Sequence, residues 1–281
     1  MYKTKLCLGL GDFGCGFEEQ IKLFKAVGFD GFFSGWDGNI KNYRCLAKDE
    51  GLIYQSIHAP FGNASKMWKE TEEGEAAVNE LLKCVEDCAS VEVPILVIHP
   101  YIGFGKGPGA TEAGLERFGK LVELSEKLGV KLAFENVEGE EYLAALMNTF
   151  ADRSCVGFCW DSGHELCYNR GRDMLKLYGD RLIATHLNDN LGVSRFDGEI
   201  FWTDDLHLLP FDGITDWKNA ASRLNNCGYD GILTFELSKH NKPKRFDNSK
   251  YASMPCEEYL AEAYARACRI AYMKNGMDNN L

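Results

Sequence analysis

No run in the chain approaches the roughly 18–20 uninterrupted apolar residues needed to span a bilayer, so no transmembrane helix is expected. The N-terminus, Met1-Tyr2-Lys3-Thr4-Lys5, leads into an apolar stretch from Leu6 to Leu10. That stretch is too short for the core of a signal peptide and no cleavage site follows it, so a cytoplasmic protein is expected. The 11 cysteines include no C-x-x-C pair and are odd in number, which argues against a thiolate metal site and for free, buried thiols in a reducing compartment. Cationic charge is in deficit as well. The formal net charge is −11, which disfavours broad binding to nucleic acid or to an anionic membrane. Histidine is also scarce, with only six in 281 residues, so where those six fall carries information.

What the chain does contain is an alternation of short β-rich runs with longer amphipathic ones. The spacing predicts strands at Lys5–Gly9, Gly31–Ser34, Tyr54–His58, Ile95–His99, Lys131–Glu135, Val156–Trp160, Ile183–His186 and Ile232–Glu236. Helices are predicted at Glu18–Val27, Ala76–Ser90, Thr111–Leu128, Asp216–Asn226 and Cys256–Met273. Several helix-to-strand junctions share one grammar, a glycine followed within a few residues by the strand. Val27-Gly28-Phe29-Asp30-Gly31 is one and Leu128-Gly129-Val130-Lys131 another. Eight strands alternating with helices predict a parallel sheet, and the count favours a (β/α)8 TIM barrel over an open doubly wound sheet. With no linker, low-complexity tract or shift in composition, residues 1–281 read as one domain. The longest irregular stretch, Asn188–Ile214, has the length of a functional loop.

Four of the six histidines, His58, His99, His164 and His186, close or closely follow a predicted strand. Two strands end on Glu135 and Glu236, and Asp161 directly follows another. In a barrel the C-terminal ends of all strands meet at one mouth, so these residues converge in space although they are far apart in sequence. Seven ionisable groups crowded there would repel one another or stay unsatisfied without a cation. Imidazole and carboxylate together suit a divalent metal, Mn or Zn first, with Co, Fe or Mg as further candidates.

These motifs resemble the xylose-isomerase-like barrel superfamily: sugar and sugar-phosphate isomerases and epimerases, inosose dehydratases, and type IV apurinic endonucleases. The resemblance covers nearly the whole chain. Its most specific segments are Asp161-Ser162-Gly163-His164, His186-Leu187-Asn188-Asp189 and Asp205-Leu206-His207-Leu208-Leu209-Pro210. By likeness to the ketose epimerases, Glu135, Asp161, His186 and Glu236 would hold one metal, and Glu135 and Glu236 would be the acid/base pair. The implied reaction is isomerisation or epimerisation of a sugar or sugar phosphate by proton transfer through a metal-stabilised enediolate. An inosose-type dehydration would share that chemistry. By likeness to the endonucleases, His58, His99, His164, Asp205 and His207 would join those four in a trinuclear zinc site for phosphodiester hydrolysis. Members of the superfamily that pair as barrels make a homodimer the expected assembly.

The loops favour a small sugar over DNA. The segment around Asp189, Asp197, Glu199, Asp204 and Asp205 holds Arg195 as its one basic residue, and DNA needs cations at the mouth. Trp36, with Phe13, Phe61 and Trp160, suits the wall of a sugar pocket. In the epimerases a Glu after the fifth strand and an Arg after the seventh bind substrate. Glu141 and, loosely, Arg195 correspond here, although position 192 is Gly where the epimerases place the Arg. Gly105-Lys106-Gly107-Pro108-Gly109-Ala110 matches a dinucleotide-binding pattern. Lying outside the first βα unit and interrupted by Pro, it reads as a flexible loop. The basic run Lys239–Arg245 reads as a solvated face, with Lys242 and Lys244 as candidates for a substrate phosphate.

Overall fold

The computed structural model describes residues 4–105 and 107–276. Met1, Tyr2, Lys3 and Lys106, which entered the readings above, lie outside the described residues.

Eight strands run in chain order: β1 (Leu6–Gly9), β2 (Gly31–Gly35), β3 (Ile53–His58), β4 (Ile95–Ile98), β5 (Lys131–Glu135), β6 (Val156–Asp161), β7 (Leu182–His186) and β8 (Leu233–Phe235). Neighbours pair in parallel, in the order β7-β6-β5-β4-β3-β2-β1-β8. The ring closes where Leu187, just past β7, bridges Phe235. There the amide of Leu187 donates to Thr234 O at 2.8 Å and that of Glu236 to Leu187 O at 3.2 Å. The architecture is a (β/α)8 barrel, as the alternation predicts.

The helices lie outside the ring: α1 (Phe17–Val27), α2 (Ile40–Glu50), α3 (Glu72–Ser90), α4 (Glu112–Leu128), α5 (Glu140–Thr149), the short α6 (Ser162–Cys167) and α7 (Met174–Tyr178), α8 (Trp217–Asn226) and α9 (Cys256–Gly276). Thr111 caps α4 by accepting from the Gly114 amide at 3.2 Å, and Gly28 ends α1 in the left-handed region, as their sequence contexts suggest. The sequence reading missed α2 and α5. In α2 only Ile40, Tyr43 and Ala47 turn inward, too sparse an apolar stripe to stand out from its polar neighbours.

Two apolar layers result. The larger fills the space between sheet and helices. The smaller lies inside the barrel, where Val97, Ala133, Cys159 and Ala184 of β4 to β7 meet. These inner residues are small, and side chains two apart on a strand share a face. The residues two positions further on, His99, Glu135, Asp161 and His186, are therefore aimed up the barrel axis at its mouth.

The cysteines divide. Cys7, Cys84, Cys88, Cys155, Cys159 and Cys167 are free and buried, as expected. Cys15 and Cys256 depart from the expectation: they form a disulfide between the loop after β1 and the start of α9. Spacing could not reveal this pair, because 241 residues separate its members. No helix among the described residues is long and apolar enough to cross a membrane.

Candidate functional site

Nine of the residues singled out in the sequence meet at the C-terminal mouth. Glu135 is completely buried at the centre. Its Oε2 lies 3.2 Å from Nε2 of both His58 and His99, and its Oε1 lies 3.0 Å from Nδ1 of His186. That same His186 nitrogen is 3.0 Å from Oε2 of Glu236. Asp161 completes this inner group: one ligand atom from each of Glu135, Asp161, His186 and Glu236 lies within 4.8 Å of the others. Two further groups overlap it, His58 with Glu135 and His186, and Asp161 with His164 and His207. Asp205 joins the outer side, its Oδ1 lying 3.5 Å from Nε2 of His164 and 3.1 Å from Nε2 of His207.

The hydrogen bonds show what this cluster is suited to hold. His58 donates from Nδ1 to Ala59 O at 2.7 Å, and His164 from Nδ1 to Asn136 O at 3.1 Å. In their neutral form both rings then turn a bare Nε2 lone pair toward a carboxylate, Glu135 and Asp205 respectively. Lone pair against carboxylate is repulsive unless a cation lies between them. Asp205 Oδ1 and His207 Nε2 are buried and lack any hydrogen-bond partner, although they stand close together. A donor set of imidazoles and carboxylates, with His58 and His164 fixed through their other ring nitrogen, suits a divalent-metal centre. The buried cluster could therefore hold a metal ion.

Charge responds in the same sense. Burial opposes the ionisation of Glu135, but the charge of His186 and hydrogen bonds from His186, His58 and His99 outweigh it and hold the carboxyl well below its usual range. For Glu236 burial is likewise overcome, by His186 and His207, and the group is lowered to about 2. Asp161 goes the other way. Burial, reinforced by the charges of Glu135 and Glu236, raises it to about 6 against the opposing pull of His164 and His207. Burial would weaken His186 and His164 as bases, yet the surrounding carboxylates hold both well above the usual histidine range. The mouth calls for positive charge.

Polar side chains that the sequence reading passed over orient the cluster. Asn136 bridges Asp161 through its backbone, accepting from Asp161 N at 2.7 Å and donating to Asp161 O at 2.9 Å. Asn188 donates to Asp161 Oδ2 at 2.9 Å. Gly163 is required beside it, since a Cβ there would sit 1.9 Å from Asn188 Oδ1. Asp189 is buried and accepts from the amides of Asn190, Phe211 and Thr215 and from Trp217 Nε1, at 2.8–3.0 Å. Four donors on one carboxylate turn the long 188–214 segment into a folded loop. The one sequence signal for these roles was position: an amide directly after a strand-end Glu, and a second two residues past a strand-end His.

Above the cluster lies a cavity of about 320 Å³ walled by Phe61, Ile102, Phe104, Tyr168 and Trp202, with His58, His99, His164, His207, Asp205, Glu236, Glu138 and Lys242 also lining it. Of the residues considered for substrate, Phe61 and Lys242 line this cavity, Phe13 and Trp160 are buried in the core, and Trp36, Glu141 and Arg195 lie elsewhere. Trp36 donates its indole N–H to Asp87 on α3 at 3.0 Å. Glu141 is exposed on the first turn of α5. Arg195 is exposed and paired with Asp197 and Glu199. Within the basic run only Lys242 reaches the cavity; Lys244 is exposed and Arg245 is paired with Asp204 and Asp247. The Gly-rich segment is the β4–α4 loop, tied down where Gly103 N donates to Glu138 and Gly109 N to Tyr142 Oη.

Fold and site together define a barrel with a histidine–carboxylate mouth. The model of the xylose isomerase-like TIM barrel family matches residues 21–254, and the chain belongs to that family. Over 184 residues it is 29% identical to a probable endonuclease 4 of Lysinibacillus sphaericus, covering 56% of this chain and 59% of that protein. The matches span 44–69% of the length of the curated relatives. Among solved structures, an IolI protein with a bound zinc atom superposes with a TM-score of 0.76 at 17% identity, covering 95% of this chain and 98% of that one. A D-psicose 3-epimerase from Clostridium cellulolyticum H10, solved with D-tagatose, gives 0.73 at 14%, covering 95% and 99%. At such identities these likenesses speak for the fold.

Proposed function

We propose that the protein is a divalent-metal-dependent isomerase or epimerase of a small sugar, with Glu135, Asp161, His186 and Glu236 as metal ligands and Glu135 and Glu236 as the acid/base pair. The observation that carries this reading is the convergence of both glutamates on one nitrogen, His186 Nδ1, at 3.0 Å each. An ion held there would draw electron density from a substrate carbonyl and acidify the neighbouring C–H. Glu236 lines the cavity and is the group placed to take that proton. Glu135 is fully buried and held by three histidines, and serves as its counterpart on the return step. The epimerase likenesses favour a small-molecule substrate, and a homodimer is the assembly proposed.

The test is solvent exchange. Untagged protein is analysed for metal and incubated with a ketose panel in D2O, and deuterium entering the carbon beside the carbonyl is followed by NMR. We expect a divalent ion, Mn or Zn, retained through purification, and incorporation that falls about 10²–10⁴-fold in Glu236→Gln. Undiminished exchange in that variant would sink the assignment.

A second reading is metal-dependent phosphodiester hydrolysis of the endonuclease type. It is favoured by the outer group His164, Asp205 and His207, which the epimerase chemistry does not require, and by the endonuclease 4 relative. Cleavage of an abasic duplex by a preparation holding two or three zinc ions per chain would select it.

A further inference from the structure

The outer half of the mouth carries a cation of its own. Lys242, on the loop after β8, brings its ammonium to Asp205: Nζ lies 3.4 Å from Oδ2, while Oδ1 of the same carboxylate faces Nε2 of His207 at 3.1 Å and Nε2 of His164 at 3.5 Å. Among the described residues it is the one Lys or Arg in the cavity lining. The loop that bears it is pinned on both sides. Before it, the Ser238 amide donates to His207 O at 2.9 Å, and the buried Lys239 donates from Nζ to Phe13 O and Met254 O. After it, Arg245 donates from Nη1 to Oδ1 of Asp204, the neighbour of Asp205, at 2.9 Å. The ammonium itself lies 5.7 Å from the centre of the Trp202 ring. Lys242 is thus held against the segment that bears Asp205 and His207, not free in solvent.

The two halves of the mouth therefore differ in where positive charge comes from. Glu135, Asp161, His186 and Glu236 converge within 4.8 Å, and among the described residues no Lys or Arg forms an ion pair with any of them. In the outer half Asp161, His164 and His207 converge to the same limit, but Asp205, which would add a second carboxylate there, is shared with Lys242. An ammonium on one oxygen of a carboxylate offsets its charge and repels a divalent ion brought to the other oxygen. In a largely buried site solvent screens that repulsion little. We propose that Lys242 is the internal counter-ion of the outer group and sets the metal count of the mouth at one. It neutralises the carboxylate that a second divalent ion would need and leaves the inner four residues to bind a single ion. The assignment rests on the metal-centre reading above. It also separates the two reactions considered there, because hydrolysis of the endonuclease type draws on the outer group and the isomerase chemistry does not.

Equilibrium dialysis against Zn²⁺ at buffered free concentrations, followed by elemental analysis of the protein, tests it without reference to turnover. Lys242→Met keeps an unbranched apolar side chain beside Trp202 and removes the charge, whereas Lys242→Arg keeps the charge. Wild type and Lys242→Arg are expected to level off at one Zn per chain. Lys242→Met is expected to take up a second, at a free Zn²⁺ concentration at least about tenfold below that of any second uptake by wild type. Adding Asp205→Asn to Lys242→Met should return the count to one. Circular dichroism should stay unchanged throughout, since Lys242 belongs to neither apolar layer. Two or three ions in wild type, or a single ion in Lys242→Met, would overturn the assignment while leaving the inner metal centre in place. No ion in any of the four proteins would overturn the assignment and the metal-centre reading together.

Discussion

The side-chain amide of Asn188 donates to Oδ2 of Asp161 at 2.9 Å, while the other oxygen of that carboxylate accepts from the His164 amide at 2.7 Å. Each oxygen of Asp161 is thus held by one donor, and one of them lies within 4.8 Å of ligand atoms of His186, Glu135 and Glu236. Loss of such supporting bonds typically weakens metal binding about 10–100-fold. Asn188→Ala is expected to show that loss in a chelator-competition titration, with near-normal circular dichroism. Gly163→Ala should do the same by displacing the Asn188 amide, which a Cβ at 163 would meet at 1.9 Å. Unchanged affinity in both variants would mean that Asp161 is not a ligand.

Removing the metal should loosen the whole mouth. A ligand that binds only the folded state stabilises it by roughly 2.7 kcal/mol when present at a hundred times its Kd. Chelator-treated protein is therefore expected to unfold several degrees lower and to recover on adding Zn or Mn. The same Tm with and without metal would contradict a bound ion.

Glu165, at the start of α6, supports the site from behind. Its carboxylate takes both guanidinium nitrogens of Arg223 at 2.8 Å, the Trp160 indole at 2.9 Å and the Met174 amide at 3.0 Å. Glu165→Ala leaves the Trp160 indole, the Met174 amide and Arg223 Nη1 without this acceptor, while Arg223 keeps Asp173 through Nε and Nη2, and breaking such a pair costs about 3–5 kcal/mol. Urea unfolding measures it directly; a cost below about 1 kcal/mol would show that the network is solvated.

Acid stability should register Asp212. Burial opposes its charge, and hydrogen bonds from Arg266, Lys250 and Tyr251 outweigh that, so the carboxyl lies below its usual range. The folded state therefore binds this proton less readily than the unfolded chain does. The contribution is present above the unfolded value, near pH 4, and is lost as pH falls toward the folded one. The stability gap between wild type and Asp212→Asn should be widest near neutrality and close as the pH drops below about 4. A gap that stays constant across urea titrations at successive pH values would exclude the effect.

The convergence of the seven mouth residues that close or closely follow a strand was legible in the sequence because of two periodicities, whereas Asp205 and His207 entered through the family resemblance. Alternation on a strand aims every second side chain at one face, and a closed parallel barrel brings all strand ends to one rim. A small inner residue such as Ala133 or Ala184, followed two positions later by Glu135 or His186, thus encodes both the packed interior and the chemistry above it. What local pattern could not decide was the wall of the cavity. Trp36, Glu141 and Arg195 were plausible by type and offset, but the cavity is lined by Tyr168, Trp202 and Glu138 instead. Loop direction is set by contacts between distant segments. Asp189 gathers donors from up to 28 residues away, Glu138 pins Gly103 across 35 residues, and a disulfide joins Cys15 to Cys256. Ligand positions follow from strand geometry, which each segment carries in itself. The substrate-facing surface follows from hydrogen bonds between loops, which exist only once the barrel has closed.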